Sequence, residues 1–594
     1  MAQKAFMADA GIRLGDWSIV ELGNGDMQVS NTHVISGSQR AFRVDKGLRI
    51  GDWRMTLNGN GDFNLSETAI TGSQRPFIAD GGVKIGDWTI HATDDGDLFA
   101  EMGNVTPGGG GGGGGGGSSL SSASWYASLT PATINWASTS SQNLTISNPG
   151  IFAPNNFDSN DEFGEAMAVT KDYLVIGMQN EDAANVGGGY DTNVGAAVVY
   201  NPANGNKLYE LANPNEQGND RDDLFGYAVS VDGDYCVVTA PYDSSGVLPA
   251  DMDRKSGTAY VFDLTDGSLK TTYRPEATGH GDAMDAFAGI MGFTTAMSGQ
   301  YVAVSHHEGG AVDNNPATGS GFITIFNRDT GAFVREIQNP APQQYDNFGS
   351  GAMAMSGDKL VVGSPSDAEA TTVGGAQTYN ASSWMSGTVH VFDVTDGSLL
   401  HTIANPNSSG NVKHDEFGGA VALDGDKLVV GARYEGKSGN YNSSTGANID
   451  ESAGAAYFYD LSSSSPTTAT YTISGSQGDR LGTSVDISGN YVVIGSPGHN
   501  AVAGHPNVTH QGDGEARIYQ FSNGNLITTL TNPNVGTEDN NMPVGDIFGY
   551  AVAIDGYTTG GAVFVGAPKE TATRTVPGVT LNTDDGMVYK YIGS

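Results

Sequence analysis

Cysteine is almost absent: Cys236 stands alone in 594 residues, so no disulfide can form within the chain. Basic residues are scarce as well, 28 Lys and Arg against 66 Asp and Glu, for a formal net charge of −38. Nucleic acid as a partner requires a basic stripe that displaces counterions from phosphates, and the sequence has none. Long apolar runs are missing; stretches such as Tyr491 to Ile494 fall far short of the roughly 20 residues that cross a bilayer as a helix. The opening Met-Ala-Gln-Lys-Ala-Phe-Met-Ala-Asp has no apolar segment of the secretory kind, which gives an expectation of assembly in the cytoplasm without export. His-Glu-x-x-His, Gly-x-Ser-x-Gly and nucleotide-binding glycine patterns at a strand-to-helix junction are absent too. These gaps predict a protein that is not an enzyme, with no cofactor and no bound metal.

Glycine, by contrast, is plentiful at 86 residues. Between Pro107 and Ser141 there is no charge at all, and Gly108 to Gly117 are ten consecutive glycines. This neutral stretch divides the chain into an arm (1–106), a Gly/Ser-rich linker (107–141) and a large body (142–594). The arm carries 14 acidic and 9 basic residues, net −5, which leaves net −33 for the remainder.

The arm repeats three times. Gly11-Ile-Arg-Leu-Gly-Asp-Trp17, Gly47-Leu-Arg-Ile-Gly-Asp-Trp53 and Gly82-Val-Lys-Ile-Gly-Asp-Trp88 follow one another at spacings of about 35 residues. Alternation such as Ile12-Arg13-Leu14 reads as a half-buried strand, Gly-Asp as its turn, and Asn24-Gly25-Asp26 as the turn of the next hairpin. Such short modules bury little alone and must lean on neighbours or on other chains. Trp17, Trp53 and Trp88 are therefore the candidate packing and anchoring residues of a homo-oligomer, a trimer being favoured. Placed before a glycine-rich stretch and a bulky body, these repeats resemble the attachment arms of virion fibre proteins in tailed phages.

The body repeats seven times. Asp161-Glu-Phe-Gly164, Asp223-Leu-Phe-Gly226, Asp285-Ala-Phe-Ala288, Asp346-Asn-Phe-Gly349, Asp415-Glu-Phe-Gly418, Asp479-Arg-Leu-Gly482 and Asp546-Ile-Phe-Gly549 recur at intervals of 61 to 69 residues. Each precedes two apolar strands joined by a tight turn, then a long loop and a third strand such as Gly387 to Asp393; a fourth strand such as Ser398 to Ile403 follows and ends in Asn405-Pro406. Four antiparallel strands per repeat predict an all-β, seven-bladed β-propeller. The last repeat ends with a third strand, Met587 to Ile592, whereas Gln142 to Pro149 has the fourth-strand pattern upstream; the seventh blade is expected to close with that N-terminal strand. The repeated Asp is expected to accept backbone N–H bonds at a turn. The pattern resembles the FG-GAP repeat family, whose propellers are of the integrin-head type. Calcium-binding members carry an Asp-rich loop between the first two strands; here that connection is only Val231-Asp-Gly-Asp234 or Leu423-Asp-Gly-Asp426, too short to wrap an ion.

Short turns fall on one face of such a ring and long loops on the other, where recognition residues vary without cost to the core. Candidates there are Asp182, Tyr190, Tyr242, Asp253, His306, His307, Tyr379, Trp384, Tyr434, Tyr441 and His505, aromatics beside polar groups that suit sugar binding. The resemblances together imply a virion protein of a tailed phage, assembled in the host cytoplasm. Its arm would join other virion proteins and its propeller would bind a host surface receptor or glycan. A bacterial surface adhesin, a capsid decoration protein and a polysaccharide depolymerase are the alternatives.

Overall fold

The computed structural model describes nine strands between residues 12 and 102, Trp136, and residues 143–149, 161–184, 190–215, 222–243, 256–274, 290–307, 320–342, 348–367, 371–373, 376–378, 385–407, 415–436, 452–498, 514–533, 546–556, 561–570, 572–576, 579–583 and 586–593. Two compact units divide at Leu120 and Ser121. Every described strand pairing but one is antiparallel, and the fold is all-β.

In the first unit each repeat is a three-stranded meander, as in Ile12–Leu14, Trp17–Glu21 and Met27–Asn31. Leu14 pairs with Trp17, Ile50 with Trp53 and Ile85 with Trp88, so the first two strands pair in the same register in all three copies. The first two meanders join through a parallel pairing of Gln28 with Arg49 into one six-stranded sheet, and the third stands as its own sheet.

The second unit is a closed ring of seven four-stranded blades. The first strands are Met167–Val169, Val229–Asp232, Ile290–Ser298, Met353–Ser356, Ala420–Asp424, Val485–Ser488 and Ala551–Asp555. Each touches the first strand of the next blade, and the seventh returns to the first. Leu144–Ser147 completes the seventh blade by pairing antiparallel with Met587–Ile592, Leu144 opposite Lys590 and Ser147 opposite Met587. The N-terminal closing strand read from the sequence is thus in place.

Burial follows this order outward. Second and third strands are mostly apolar and mostly buried, as in Tyr491–Ser496, because other blades cover both their faces. Fourth strands are exposed on their outer side, as in Leu399–Ala404. Between blades the repeated Phe is the wedge: fully buried Phe417 packs on Val361, Val389 and Val391 of blade 4 and on Leu428, Tyr457 and Tyr459 of blade 5. Its backbone crosses Gly387 so closely that a Cβ there would lie 2.0 Å from the Phe417 carbonyl oxygen, and Gly387 has φ +88°. Trp136, within the stretch read as linker, is fully buried against Tyr491 in the core between blades 6 and 7.

One reading of the repeat needs correction. In blade 3 the wedge is Met291-Gly292, not Phe287-Ala288. Gly292 has φ +103° and stands seven residues before the turn glycine Gly299, as Gly226 stands seven before Gly233. Met291 N–H donates to Ser256 O as Phe417 N–H donates to Ser386 O. The repeated Asp also accepts bonds from side chains of the preceding blade. Asn148 donates to Asp161 (2.6 Å), Asn405 and Asn407 to Asp415 (3.0 and 2.7 Å), and Asn532 to Asp546 (2.6 Å). The Asn of Asn-Pro at 148, 213, 405 and 532 thereby ties the outer strand of one blade to the entrance of the next. Where that Asn is missing, after Ser474, Arg517 holds Asp479 instead at 2.9 Å, and the backbone N–H of Ser476 also donates to the Asp at 2.8 Å.

On the short-turn face, Gly233, Gly299, Gly357, Gly425 and Gly489 open two-residue hairpins with positive φ, as turns with glycine at the first central position require. Neighbouring turns are joined: Gly299 N–H donates to Asp232, Gly357 to Ser298, Gly425 to Ser356, Gly489 to Asp424 and Gly556 to Ser488, at 2.6 to 3.0 Å. These joints tie blades 2 to 7 in series at their inner ends.

Candidate functional site at the axial mouth

The opposite end of the ring gathers chemistry. Two places of the repeat supply side chains there: the residue between Asp and Phe of the motif, as at Glu162, Glu416 and Arg480, and the residue after the motif glycine. The first adopts the left-handed conformation although it is not glycine, with φ +59° at Glu162, +53° at Glu416 and +54° at Arg480. Such backbone costs about 1–3 kcal/mol per residue and gathers at sites of function. The second place is held by Glu165, Tyr227, Phe293 and Tyr550, all half-buried.

Glu162 and Glu165 hydrogen-bond to each other and share Gln179, whose Nε2 donates to both, at 2.6 and 2.7 Å. Burial and then the neighbouring Glu162 push Glu165 up to about 8, so it keeps its proton at neutral pH. Burial acts on Glu162 as well, but the bond from Glu165 and the Lys569 ammonium 3.1 Å away hold it below the usual carboxylate value. A directly bonded pair is tighter than the roughly 5–10 Å separation that hydrolysis of a glycosidic bond uses. Tyr550 of blade 7 bonds to Glu165, and burial followed by that carboxyl raises its phenol well above its ordinary value.

Beside this acidic pair stands an aromatic group: Phe293 meets Tyr227 edge-on at 5.3 Å and Tyr242 at 5.9 Å. Beyond Tyr550 lies a cationic group. Arg433 sits 4.8 Å from the Tyr434 ring centre and Arg480 5.9 Å from it, and Arg433 pairs with Glu416 at 2.7 Å. Arg433 of blade 5 is within electrostatic reach of Tyr550 of blade 7, so these side chains converge toward the axis.

Of the residues expected on the long-loop face, Tyr242 and Tyr434 belong to this mouth. Tyr190 lies in a small hairpin that pairs 183–184 with 190–191. Asp182 is buried and accepts the Asn193 N–H at 2.8 Å, a bond internal to blade 1. His306 is a core residue: it lies in the strand Tyr301–His307, stacks on Phe322 at 4.1 Å and bonds to Thr324 at 3.0 Å. The shifted motif of blade 3 explains this, because its second strand runs further than the sequence pattern indicates. His307 ends that strand, its side chain outside the described residues, as are Asp253, Tyr379, Trp384, Tyr441 and His505. Trp17, Trp53 and Trp88 each open a strand, and their side chains likewise lie outside what is described. Among the described residues no group of three His, Cys, Asp or Glu is arranged to hold a metal ion.

Sequence reading missed Glu162, Glu165, Tyr227, Phe293, Arg433, Arg480, Tyr550 and Lys569. A signal existed, since most occupy equivalent positions of the repeat and reading down those positions collects them.

No curated protein matches the chain. Residues 218–262 and 408–459 match the family model described as FG-GAP repeat. They fall in blades 2 and 5, each running through the motif to the third strand, and the other blades repeat the same strand order. The protein therefore carries FG-GAP repeats in a seven-bladed β-propeller, an architecture of the binding and adhesion type.

Proposed function

We propose that the protein is a non-enzymatic binding component of a tailed-phage particle, anchored through its N-terminal repeats and presenting the propeller to a host surface receptor. The observation that carries the binding role is the axial mouth, where half-buried aromatic and charged side chains from six blades meet on the face that bears the long loops. Rigid blades hold these groups in fixed positions, and recognition gains from groups ordered before the ligand arrives. The anchoring role rests on the threefold meander, since short repeated modules gain stability by leaning on neighbours or on other chains. Assembly in the host cytoplasm belongs to the same reading.

The test has two arms. Peptides of this protein should appear in mass spectra of purified phage particles at a fixed ratio to the capsid protein. Labelled full-length protein should bind host cells, and Tyr242→Ala combined with Tyr434→Ala should weaken that binding at least tenfold while the unfolding temperature stays close to that of the parent. Absence from particles refutes the virion role; undiminished binding by the double variant refutes the mouth.

A further inference from the structure

The seams between blades share a plug. In blades 2, 4, 5 and 6 the residue that follows the six-residue third strand is apolar and buried: Leu264 after Thr258–Asp263, Val394 after Thr388–Asp393, Leu461 after Ala455–Asp460 and Phe521 after Glu515–Gln520. Each shares an apolar cluster with the blade before it, and Phe521 stacks on Phe458 of blade 5 at 5.5 Å. Blade 7 breaks the pattern. Its third strand, Met587–Ile592, is followed by Gly593, which has no side chain to offer. The seam with blade 6 is filled instead by Trp136, from the stretch read as linker, fully buried in one cluster with Ile518 and Leu530 of blade 6 and Val563 and Tyr591 of blade 7. Its indole N–H has no acceptor among the described residues, as expected of a seat that takes apolar side chains in the other seams.

Blade 7 thus takes two parts from the N-terminal side, the plug and the closing strand. Leu144–Ser147 makes four register pairs with Met587–Ile592. Asn143 adds two bonds beside them: its N–H donates to Lys590 O at 2.8 Å, and its side chain accepts the Ile592 N–H at 2.7 Å. A pull on the chain ahead of Asn143 meets these pairs one after another, as in opening a hairpin from its ends. Bonds broken singly resist little, whereas a buried indole leaves its seat in one step and loses all its contacts together. Trp136 precedes Asn143 in the chain, so a pull that arrives through the linker reaches the indole first.

We propose that Trp136 is a strap point: seated in the seam between blades 6 and 7, it takes up pull that arrives through the linker and keeps that pull off the closing strand, so that the ring stays shut while the arm is held. The proposal rests on the arm being the anchor. Mass spectra of particles test that reading separately, whereas the strap is read on purified protein.

The experiment pulls the full-length protein in optical tweezers between its N-terminus and a handle on Asp396→Cys, an exposed turn position of blade 4, and follows hydrogen exchange of the same variants without load. At one force Trp136→Ala should open the seventh blade at least tenfold faster than the parent. Amides of Leu144–Ser147 should exchange at least tenfold faster in that variant while those of Thr388–Asp393 keep the parent rate. Trp136→Phe, which keeps a ring in the seat, should stay within about threefold of the parent in both measurements. Gly593→Leu added to Trp136→Ala returns a plug from the place that blades 2, 4, 5 and 6 use. It should slow exchange toward the parent rate, yet leave opening under pull as fast as in Trp136→Ala, because the linker is still unfastened. Equal opening rates of parent and Trp136→Ala overturn the proposal. Recovery of the parent rate under pull by Gly593→Leu also overturns it, making Trp136 a core residue only, and so does exchange that Gly593→Leu fails to slow, because the seat is then not the one the other blades share.

Discussion

Removing the wedge at Phe417 is the sharpest perturbation of the ring. Phe417 is fully buried, fills the space between blades 4 and 5, and meets Tyr457 and Tyr459 edge-on at 5.6 and 6.5 Å. Replacing a buried Phe by Ala costs about 3–5 kcal/mol through lost burial and the cavity left behind. The edge contacts, each worth about 0.5–1.5 kcal/mol beyond area, place Phe417→Ala near the upper end, about 5 kcal/mol. A propeller of about 450 residues unfolds with an entropy near 2.1 cal/mol/K per residue, or about 1 kcal/mol/K in all, so the unfolding temperature should drop by about 5 °C. The molecule contains its own control, because blade 6 uses Leu481 at the equivalent place. Phe417→Leu should therefore cost only about 1.5 kcal/mol, a drop of about 1–2 °C. Scanning calorimetry on parent and variants reads both values. An Ala variant within 1 °C of the parent, or a Leu variant as damaged as the Ala one, would refute the wedge as the main tie between blades.

Glu165 sets a pH dependence. Its folded value, about 8, lies above the ordinary 4.5, so its contribution is fully present below about 4.5 and is lost as pH rises through about 8. Parent stability relative to Glu165→Gln should accordingly fall between pH 5 and 8 in thermal melts; a constant or rising difference contradicts the shared proton. Calcium should not be needed for folding, since the first turns of blades 2 to 6 hold two residues each. Excess chelator should leave the melting temperature unchanged, and a drop of many degrees would place bound ions among the acidic long loops. Residues 121–594 alone should run as a compact monomer in light scattering, association residing in the arm; a stable oligomer of that fragment speaks against the anchoring role. With net −33 outside the arm, approach to an anionic host envelope should be hindered at 0.01 M salt, where charges act over about 30 Å, and eased at 0.15 M, where the reach is about 8 Å. Host-cell binding that weakens steadily with added salt would contradict this.

The seven blades, the turn chemistry and the closing strand were legible because each depends on local pattern: alternation, Gly at a turn, and an Asn-Pro that recurs. Blade 3 misled because Asp285-Ala-Phe-Ala288 imitates the motif, and only the seven-residue interval to Gly299 reveals Gly292 as the residue that crosses the neighbouring blade. The Asn–Asp latch had both partners visible in the sequence, Asn532 and Asp546 among them, but pairing them requires knowing that one blade's outer strand ends where the next begins. The mouth was the least legible part. Glu165, Tyr550 and Arg433 are far apart in sequence and meet only because the ring brings equivalent positions of separate blades to one axis. Long loops drew the eye to Tyr379 and Trp384, whereas the charged and aromatic cluster lies at the inner ends of the strands.

Closure by Leu144–Ser147 also sets a schedule for synthesis. The strand's first residue, Leu144, pairs with Lys590, which lies 446 positions later. At about 5–20 residues per second, a ribosome takes roughly 20–90 s to make the second partner after the first has emerged. Through that interval the earliest strand of the ring has no mate, while blades 1 to 6 can each complete themselves from consecutive sequence. Completion of the circle is thereby reserved for molecules translated to within a few residues of Ile592. A product that stops in the seventh repeat keeps its exposed sheet edges and is marked, by those edges, for degradation or aggregation.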